Sequence, residues 1–271
     1  MKPAPFDYLR ARTLAEAHDV LAAEGGDASV IAGGQSLVPL LSMRMARPKV
    51  LLDIMHLDAL GGIRVADGAI RIGATVRQAE LLAWPELARQ QPLLAQAMPW
   101  IGHWQTRARG TVCGSIALAD PSAELPLCLV ALGGKVSLSS KAGRREVTAD
   151  DFFTGLMSTA RRDDELIESV SFPCRRASEG FAFREFARRH GDFAIVACAA
   201  VADAKRVRLA VGGVADRPVV RDFSDASDDA LRDFAAKLDA RDDLHATAEY
   251  RRGLVRELGR ETITEAQRCR A

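Results

Sequence analysis

The sequence predicts an α+β protein with a small βαβ-like lobe, a second lobe on an antiparallel sheet, and a C-terminal region of three strands and a helical bundle. Three observations carry this reading. Helical and strand patterns alternate around a glycine loop over 1–56. From Gly61 the apolar period shortens towards two. After Pro173, three strand-like runs precede two amphipathic helices.

In the first lobe, Thr13 and Glu16 have capping-box spacing. Leu14, Ala17, Val20 and Leu21 recur at helical period, which predicts a helix over 13–24 ended by Gly25-Gly26. Ser29-Val30-Ile31-Ala32 is a short apolar strand that opens into a glycine loop. Leu37, Leu40 and Leu41 share a helical face beyond it. Val50-Leu51-Leu52-Asp53-Ile54 reads as a second buried strand, suited to parallel pairing with the first.

Beyond Gly61, Ile70 and Ile72 alternate with Arg71 in a half-exposed strand. Thr75 and Gln78 offer another capping box before Ala79, Leu81 and Leu82, and Leu93, Leu94, Ala97 and Met98 predict a further helix. Strand alternation returns at Val136-Ser137-Leu138-Ser139 and over Leu166–Phe172, with a turn at Lys141-Ala142-Gly143-Arg144. In the last region, strands are predicted at Phe181-Ala182-Phe183, at Phe193–Cys198 and at Arg206–Val211. Residues 227–238 and 247–259 read as amphipathic helices, and the polar 221–230 stretch as a loop.

Composition narrows the function classes. The 271 residues are 48% hydrophobic and 27% charged, ordinary for a globular protein with a sizeable core. Lys+Arg 37 against Asp+Glu 36 leaves a net charge of +1, so no bulk charge argues for nucleic acid or an anionic membrane. No apolar run is long enough to span a bilayer, and the N-terminal residues lack the apolar core of a secretion signal. The five cysteines, Cys113, Cys128, Cys174, Cys198 and Cys269, form no C-x-x-C pair and no metal or cluster spacing. Free thiols in a reducing cytoplasm are the expectation.

Two loops about 80 residues apart carry the chemistry. Ala32-Gly33-Gly34-Gln35-Ser36-Leu37 follows the apolar Val30-Ile31, and Thr111-Val112-Cys113-Gly114-Ser115 precedes Ala119-Asp120-Pro121 and Glu124-Leu125-Pro126. Small residues let the backbone approach an anion, successive N–H groups can form a nest, and the hydroxyls add donors. Neither loop is a P-loop or a Rossmann fingerprint. Two such loops suggest a dinucleotide gripped at its pyrophosphate from both sides. Alone, each is equally explained as a structural turn, and Glu124 as a first-turn helix acid.

At these residues the chain resembles a known family. Ala32–Leu37 with Arg47-Pro48 and Leu52-Asp53-Ile54 resembles the N-terminal signature of the FAD-binding medium subunits of molybdenum hydroxylases, the carbon monoxide dehydrogenase and xanthine dehydrogenase flavoproteins. Arg109–Ser115 through Pro126 resembles their second flavin motif. Asp151-Phe152-Phe153, Phe186–Ala194 and Ala248-Glu249-Tyr250-Arg251-Arg252 continue the likeness, in order, across essentially the whole chain.

The resemblance implies a two-lobed FAD-binding domain of the vanillyl-alcohol-oxidase (PCMH) type over 1–173, with lobes of about 1–56 and 57–173, and a C-terminal domain over 174–271. Carried over by position, Val30, Ile31, Ala32, Gly33, Gly34, Gln35, Ser36 and Leu37 would hold the pyrophosphate. Thr111, Val112, Cys113, Gly114 and Ser115 would approach from the other side, with Ile101, Asp120 and Glu124 lining the pocket. Ile167 and Arg184 fall where relatives contact flavin or adenine, and Phe193 where they place an aromatic near the isoalloxazine. A strand-core role explains Phe193 equally well. The family usually has Gly-Gly where this chain has Cys113-Gly114, so residue 113 is expected in an ordinary backbone region.

The implied function is electron transfer. FAD, bound non-covalently, would accept electrons from a small [2Fe-2S] subunit and pass them to an external acceptor, while a large molybdopterin-binding subunit performs the hydroxylation. The chain itself would carry no metal and no catalytic residue. Two alternatives stand beside this reading: a free-standing FAD-dependent reductase of the same fold, and an assembly subunit without flavin.

Overall fold

The computed structural model describes residues 2–270. The N-terminal sheet is parallel and three-stranded, built from β1 (Asp7–Arg10), β2 (Ala28–Ile31) and β3 (Val50–Asp53) in the order β1-β3-β2. The helix α1 (Leu14–Glu24) begins as the capping-box spacing predicts: the Glu16 N–H donates to Thr13 Oγ1 at 3.1 Å. The reciprocal bond shifts by one residue, with the Arg12 N–H donating to Glu16 Oε2 at 2.8 Å. β2 pairs parallel with β3, and the loop after β2 leads into the short α2 (Leu37–Ser42). β1 escaped the sequence reading because all four of its residues are exposed, so no apolar alternation marks it.

The second lobe is an antiparallel sheet of five strands. β4 (Ile63–Ala66), β5 (Ala69–Gly73), β6 (Lys135–Ser140), β7 (Gly143–Thr148) and, after a short β8–β9 hairpin, β10 (Leu166–Pro173) lie in the order β4-β5-β10-β6-β7. That hairpin joins β8 (Phe153–Gly155) to β9 (Ser158–Thr159). Ile70, Ile72, Val136, Val170 and Phe172 are fully buried beneath the helices. Those are α3 (Gln78–Ala83), α4 (Leu87–Gln90), α5 (Pro92–Ala97), α6 (Trp104–Arg107), α7 (Val112–Leu118), α8 (Glu124–Leu132) and α9 (Ala149–Phe152).

The expected capping box at Thr75 does not form. Thr75 Oγ1 instead donates to the Leu60 carbonyl at 3.2 Å, and Arg77 occupies the cap position of α3 without a side-chain bond. The cause is a close crossing at Gly73, where a Cβ would stand 2.2 Å from the Leu60 oxygen, drawing Thr75 onto the same loop. The first N–H of α3, on Gln78, is satisfied by the Gly110 carbonyl at 2.8 Å, which ties this helix to the second glycine loop.

The C-terminal sheet has four strands, not three. β11 (Gly180–Phe186), β12 (Val196–Ala202), β13 (Val207–Gly212) and β14 (Val219–Phe223) form an antiparallel meander. β14 is a half-exposed edge strand containing Arg221 and Asp222, a polar pattern that reads as loop in sequence. Phe181, Phe183, Ala197, Ala199 and Ala210 join the core of the preceding lobe, where α5 and α8 cover them. The alternate residues Val196, Cys198, Ala200, Leu209 and Val211 join a second core with α10 (Asp228–Lys237) and α11 (Ala248–Arg268). The alanines of β12 keep both helical layers close to the sheet. Gly180 does the same at its edge, since a Cβ there would stand 1.9 Å from the Ala266 oxygen.

Candidate functional site

The two glycine loops meet between the lobes. Gly33 lies directly on the second loop: a Cβ there would be 2.2 Å from the Arg109 carbonyl oxygen and 2.7 Å from Gly110 Cα. Beside this crossing, a cavity of about 280 Å³ stays open between them, lined from the first lobe by residues 28–37 and from the second by Thr111, Cys113, Gly114, Ser115 and Ile167. A second cavity of about 380 Å³ continues from it. The two share Gln35, Ser36, Leu40, Ser115 and Leu118, and the second is completed by Ile101, Asp120, Glu124 and Phe193. One groove therefore runs between the lobes and widens at its far end.

The first loop is shaped for an anion. Among the described residues, the backbone N–H groups of Ala32, Gly33, Gly34, Gln35, Ser36 and Leu37 have no protein acceptor, and Val38 is the next to donate, to the Gly34 carbonyl at 3.0 Å. Gly34 supplies the positive φ, +71°, that turns the chain. Unpartnered amides at a cavity wall fit the oxygens of a diphosphate.

The second loop works differently from its expected role. The Val112 N–H donates to the Val76 carbonyl at 3.1 Å, Gly114 to Thr111 Oγ1 at 3.0 Å, and Ser115 to the Thr111 carbonyl at 3.3 Å. Thr111 is thus the N-cap of α7, and its capping bond uses the very amide that a second nest would need. Gly114 is required because a Cβ would stand 2.7 Å from Thr111 Oγ1. This side of the groove offers shape and the Ser115 hydroxyl rather than a row of free amides.

Val112 faces the core and lines neither cavity. Cys113 lies inside α7 with no positive φ, as expected for a residue replacing glycine. Its Sγ donates to the Ile72 carbonyl at 3.6 Å, and burial pushes its thiol up to about 12, so it stays neutral. Arg184 lies outside both cavities: its guanidinium pairs with Glu265 at 2.8 Å and Glu261 at 3.4 Å on α11. This placement does not match the flavin or adenine contact expected for it. Phe193 precedes β12 and is 58% exposed, so a strand-core role is excluded and its ring stands at the mouth of the wider cavity.

Two groove residues were not singled out in the sequence. Arg161 lines the narrow cavity, donating to the Arg162 carbonyl at 2.9 Å and the Glu165 carbonyl at 2.8 Å, with no carboxylate partner among the described residues. Its charge is therefore free to meet an anion. Glu165 has a side chain only 3% exposed and pairs with Arg145 at 2.6 Å and Arg162 at 3.2 Å. Burial alone would raise its carboxyl. The Arg145 hydrogen bond, the Arg162 amide and both guanidinium charges outweigh that and hold it at about 2. The signal in the sequence was a charge run, 161–165, placed immediately before a buried strand.

At the wide end the balance reverses. Burial raises Glu124 to about 7, against a hydrogen bond from its own backbone N–H, with the Asp120 charge adding to the rise and Arg107 opposing it. Asp120 is also raised by burial, against a hydrogen bond from the Ser122 N–H at 2.8 Å. The groove thus has a donor-rich narrow end and a wide end whose carboxyls are pushed by burial towards the neutral form.

Comparison with known proteins gives the family. The family described as FAD binding domain in molybdopterin dehydrogenase matches residues 4–175. The chain is 38% identical to the nicotine 6-hydroxylase medium subunit of Paenarthrobacter nicotinovorans, over 98% of this chain and 99% of that one. It is 37% identical to subunit alpha of the 6-hydroxypseudooxynicotine dehydrogenase complex of the same organism, over 98% and 96%. A solved chain of carbon monoxide dehydrogenase from Hydrogenophaga pseudoflava superposes with a TM-score of 0.92 at 30% identity, over 100% of both chains. A groove with a nest of free amides, set in this sequence and this fold, identifies the chain as a member of the FAD-binding medium-subunit family of molybdopterin-dependent dehydrogenases and hydroxylases.

Proposed function

We propose that this chain is the electron-transfer subunit of a molybdenum hydroxylase, taking electrons from a [2Fe-2S] subunit and passing them to an external acceptor. A large molybdopterin-binding subunit completes the assembly. The observation that carries the reading is the run of six free amides, 32–37, facing a groove that continues to an aromatic-rimmed mouth. FAD, when bound, supplies chemistry that links two-electron and one-electron carriers.

The residues divide the work. The 32–37 amides and Arg161 hold the diphosphate, and Val30, Ile31 and Ile167 wall the adenosine end. Ile101, Leu118, Asp120, Glu124 and Phe193 surround the ring end, which is the wider of the two and reaches the surface. No side chain in the groove is poised as a nucleophile towards flavin, Cys113 being neutral and turned to Ile72, which supports non-covalent binding. Among the described residues no cluster of side chains could hold a metal, and no helix is long and apolar enough to cross a membrane. A reducing cytoplasm belongs to the same proposal, supported by five cysteines that remain free.

Purification of the native complex tests this. A yellow flavin spectrum together with three polypeptides, one of them carrying molybdopterin, is the expected result. A chain that stays colourless after soaking in FAD would overturn it in favour of an assembly role. A flavin in the isolated chain bleached by NADPH alone would favour a free-standing reductase.

A further inference from the structure

Behind the Glu124 wall of the wide end lies a second buried carboxyl, Glu185, that the flavin reading does not use. Glu124, at the start of α8, is 4% exposed, lines the cavity and, among the described residues, receives no hydrogen bond from any residue but its own backbone N–H. Across from it, β11 carries Glu185 on the face shared with Phe181 and Phe183, which packs against the FAD-binding lobe. Both Glu185 oxygens are buried without a hydrogen-bond partner. Cys128, one helical turn beyond Glu124, is close enough to feel both carboxylates. No cation pairs with either acid among the described residues, since Arg184 beside Glu185 is engaged with α11.

We propose that Glu185 is a positioning residue for the ring end of the groove: the Glu124–Glu185 pair carries no more than one negative charge near neutrality, so that Glu124 can face the cofactor as a hydroxyl donor. This rests on the flavin reading of the groove. Two unpaired carboxylates walled into one low-dielectric space repel each other and are poorly solvated, so a proton is retained. Burial raises Glu185 to about 8, with the Glu124 charge adding to the effect, and Glu124 stands at about 7. The other groups facing the pair are Asp120, Arg107 and Cys128, with Asp192 on the rim of the cavity. Arg107 donates to the Ile101 and Gly102 carbonyls, at 2.7 and 2.9 Å, and forms no ion pair with Glu124, so its charge offsets the burial of that carboxyl only in part. The two acids titrate as a unit.

The test is an FAD titration of the full-length chain in its complex from pH 6 to 9, with an infrared titration of the carboxylic C=O band on the FAD-free chain. The wild type should lose at least about tenfold in affinity over this range, the effect of one unit of ionisation, in two steps. Glu185→Gln should collapse the two steps into one, and Glu124→Gln should flatten the profile. The infrared band of the wild type at pH 7 should lose intensity in both variants. A Glu185→Gln profile that superposes on the wild type overturns the proposal, as does a wild-type band showing both acids ionised at pH 7. If Glu185→Gln fails to fold, the wild-type infrared titration and the Glu124→Gln profile decide. A wild type that binds no FAD at any pH would sink the flavin reading, while the infrared arm would still report on the pair.

Discussion

Gly33 and Arg109 touch backbone to backbone: a Cβ on residue 33 would stand 2.2 Å from the Arg109 carbonyl oxygen. The two lobes meet there without an intervening side chain, and the groove opens beside the contact. Gly33→Ala must therefore push the loops apart. We expect FAD affinity to fall at least about tenfold, a cost of about 1.4 kcal/mol or more, with a lower melting temperature. Flavin fluorescence titration and thermal unfolding measure the two effects, and unaltered binding would contradict the arrangement.

Arg161 gives a contrasting case. It lies on the groove and is satisfied by carbonyls alone, so its removal should weaken FAD binding more than it weakens the fold. Arg161→Gln is expected to cost about 1–3 kcal/mol of binding, the range for a charge-assisted hydrogen bond. Its stability should stay within about 1 kcal/mol of the parent. Binding measured at rising ionic strength should show a shallower salt dependence in the variant.

Glu165 predicts an acid limb of stability. Its folded carboxyl titrates at about 2, below the roughly 4.3 of an unfolded glutamate. The stabilisation is complete above the unfolded value and is lost as pH falls towards 2. It amounts to about 3 kcal/mol by linkage. Denaturant midpoints from pH 7 down to 2.5 should fall for the parent and flatten for Glu165→Gln. Arg145→Ala should destabilise at neutral pH, because it leaves a buried carboxylate with one cation fewer.

How far the sequence revealed this site depended on the kind of signal. The first loop was legible because a glycine pair, a hydroxyl and a preceding apolar strand are local features. The free amides then follow from the backbone. The second loop also lines the groove, but its hydrogen bonding was not legible in the sequence. Whether Thr111 spends its hydroxyl on Gly114 is a matter of helix geometry that residue identities leave open. Arg184 and Glu185 are neighbours whose side chains leave opposite faces of a strand, and only the packing of α11 on one face fixes which acid or base goes where. β1 and β14 hid for a related reason, being edge strands whose exposure erases alternation. Three of the five strands in the second sheet are anchored by buried isoleucine, valine, leucine or phenylalanine and were far easier to anticipate.

Ala119 closes α7 in the left-handed region, at φ 54°. Alanine pays about 1–2 kcal/mol there that glycine does not. Glycine in turn loses more chain entropy on folding, so Ala119→Gly should be stabilising by up to about 1 kcal/mol. Ala119 is buried but lies outside both groove cavities, so FAD affinity should stay within about threefold of the parent, near the 0.5 kcal/mol typical of a change away from the contact. Chemical denaturation of the two proteins in parallel checks it.

Thiol reactivity should separate the cysteines by burial. Cys269 is exposed and should react first, and the half-buried Cys174, raised by burial, more slowly. Cys113, Cys128 and Cys198 are buried with thiols held neutral, and should react only on unfolding. Mass spectrometry after timed alkylation of the native protein gives the order. Fast labelling of Cys113 would mean that the groove opens far wider than its closed contacts suggest.

The alanine-rich strand β12 feeds one set of side chains to α8 and the other to α11. Exchanging the C-terminal third between relatives is therefore not a modular operation. A chimera joined near residue 175 would set one parent's methyl groups against the other's helices, and would stand only if the facing residues of α5 and α8 travelled with the graft.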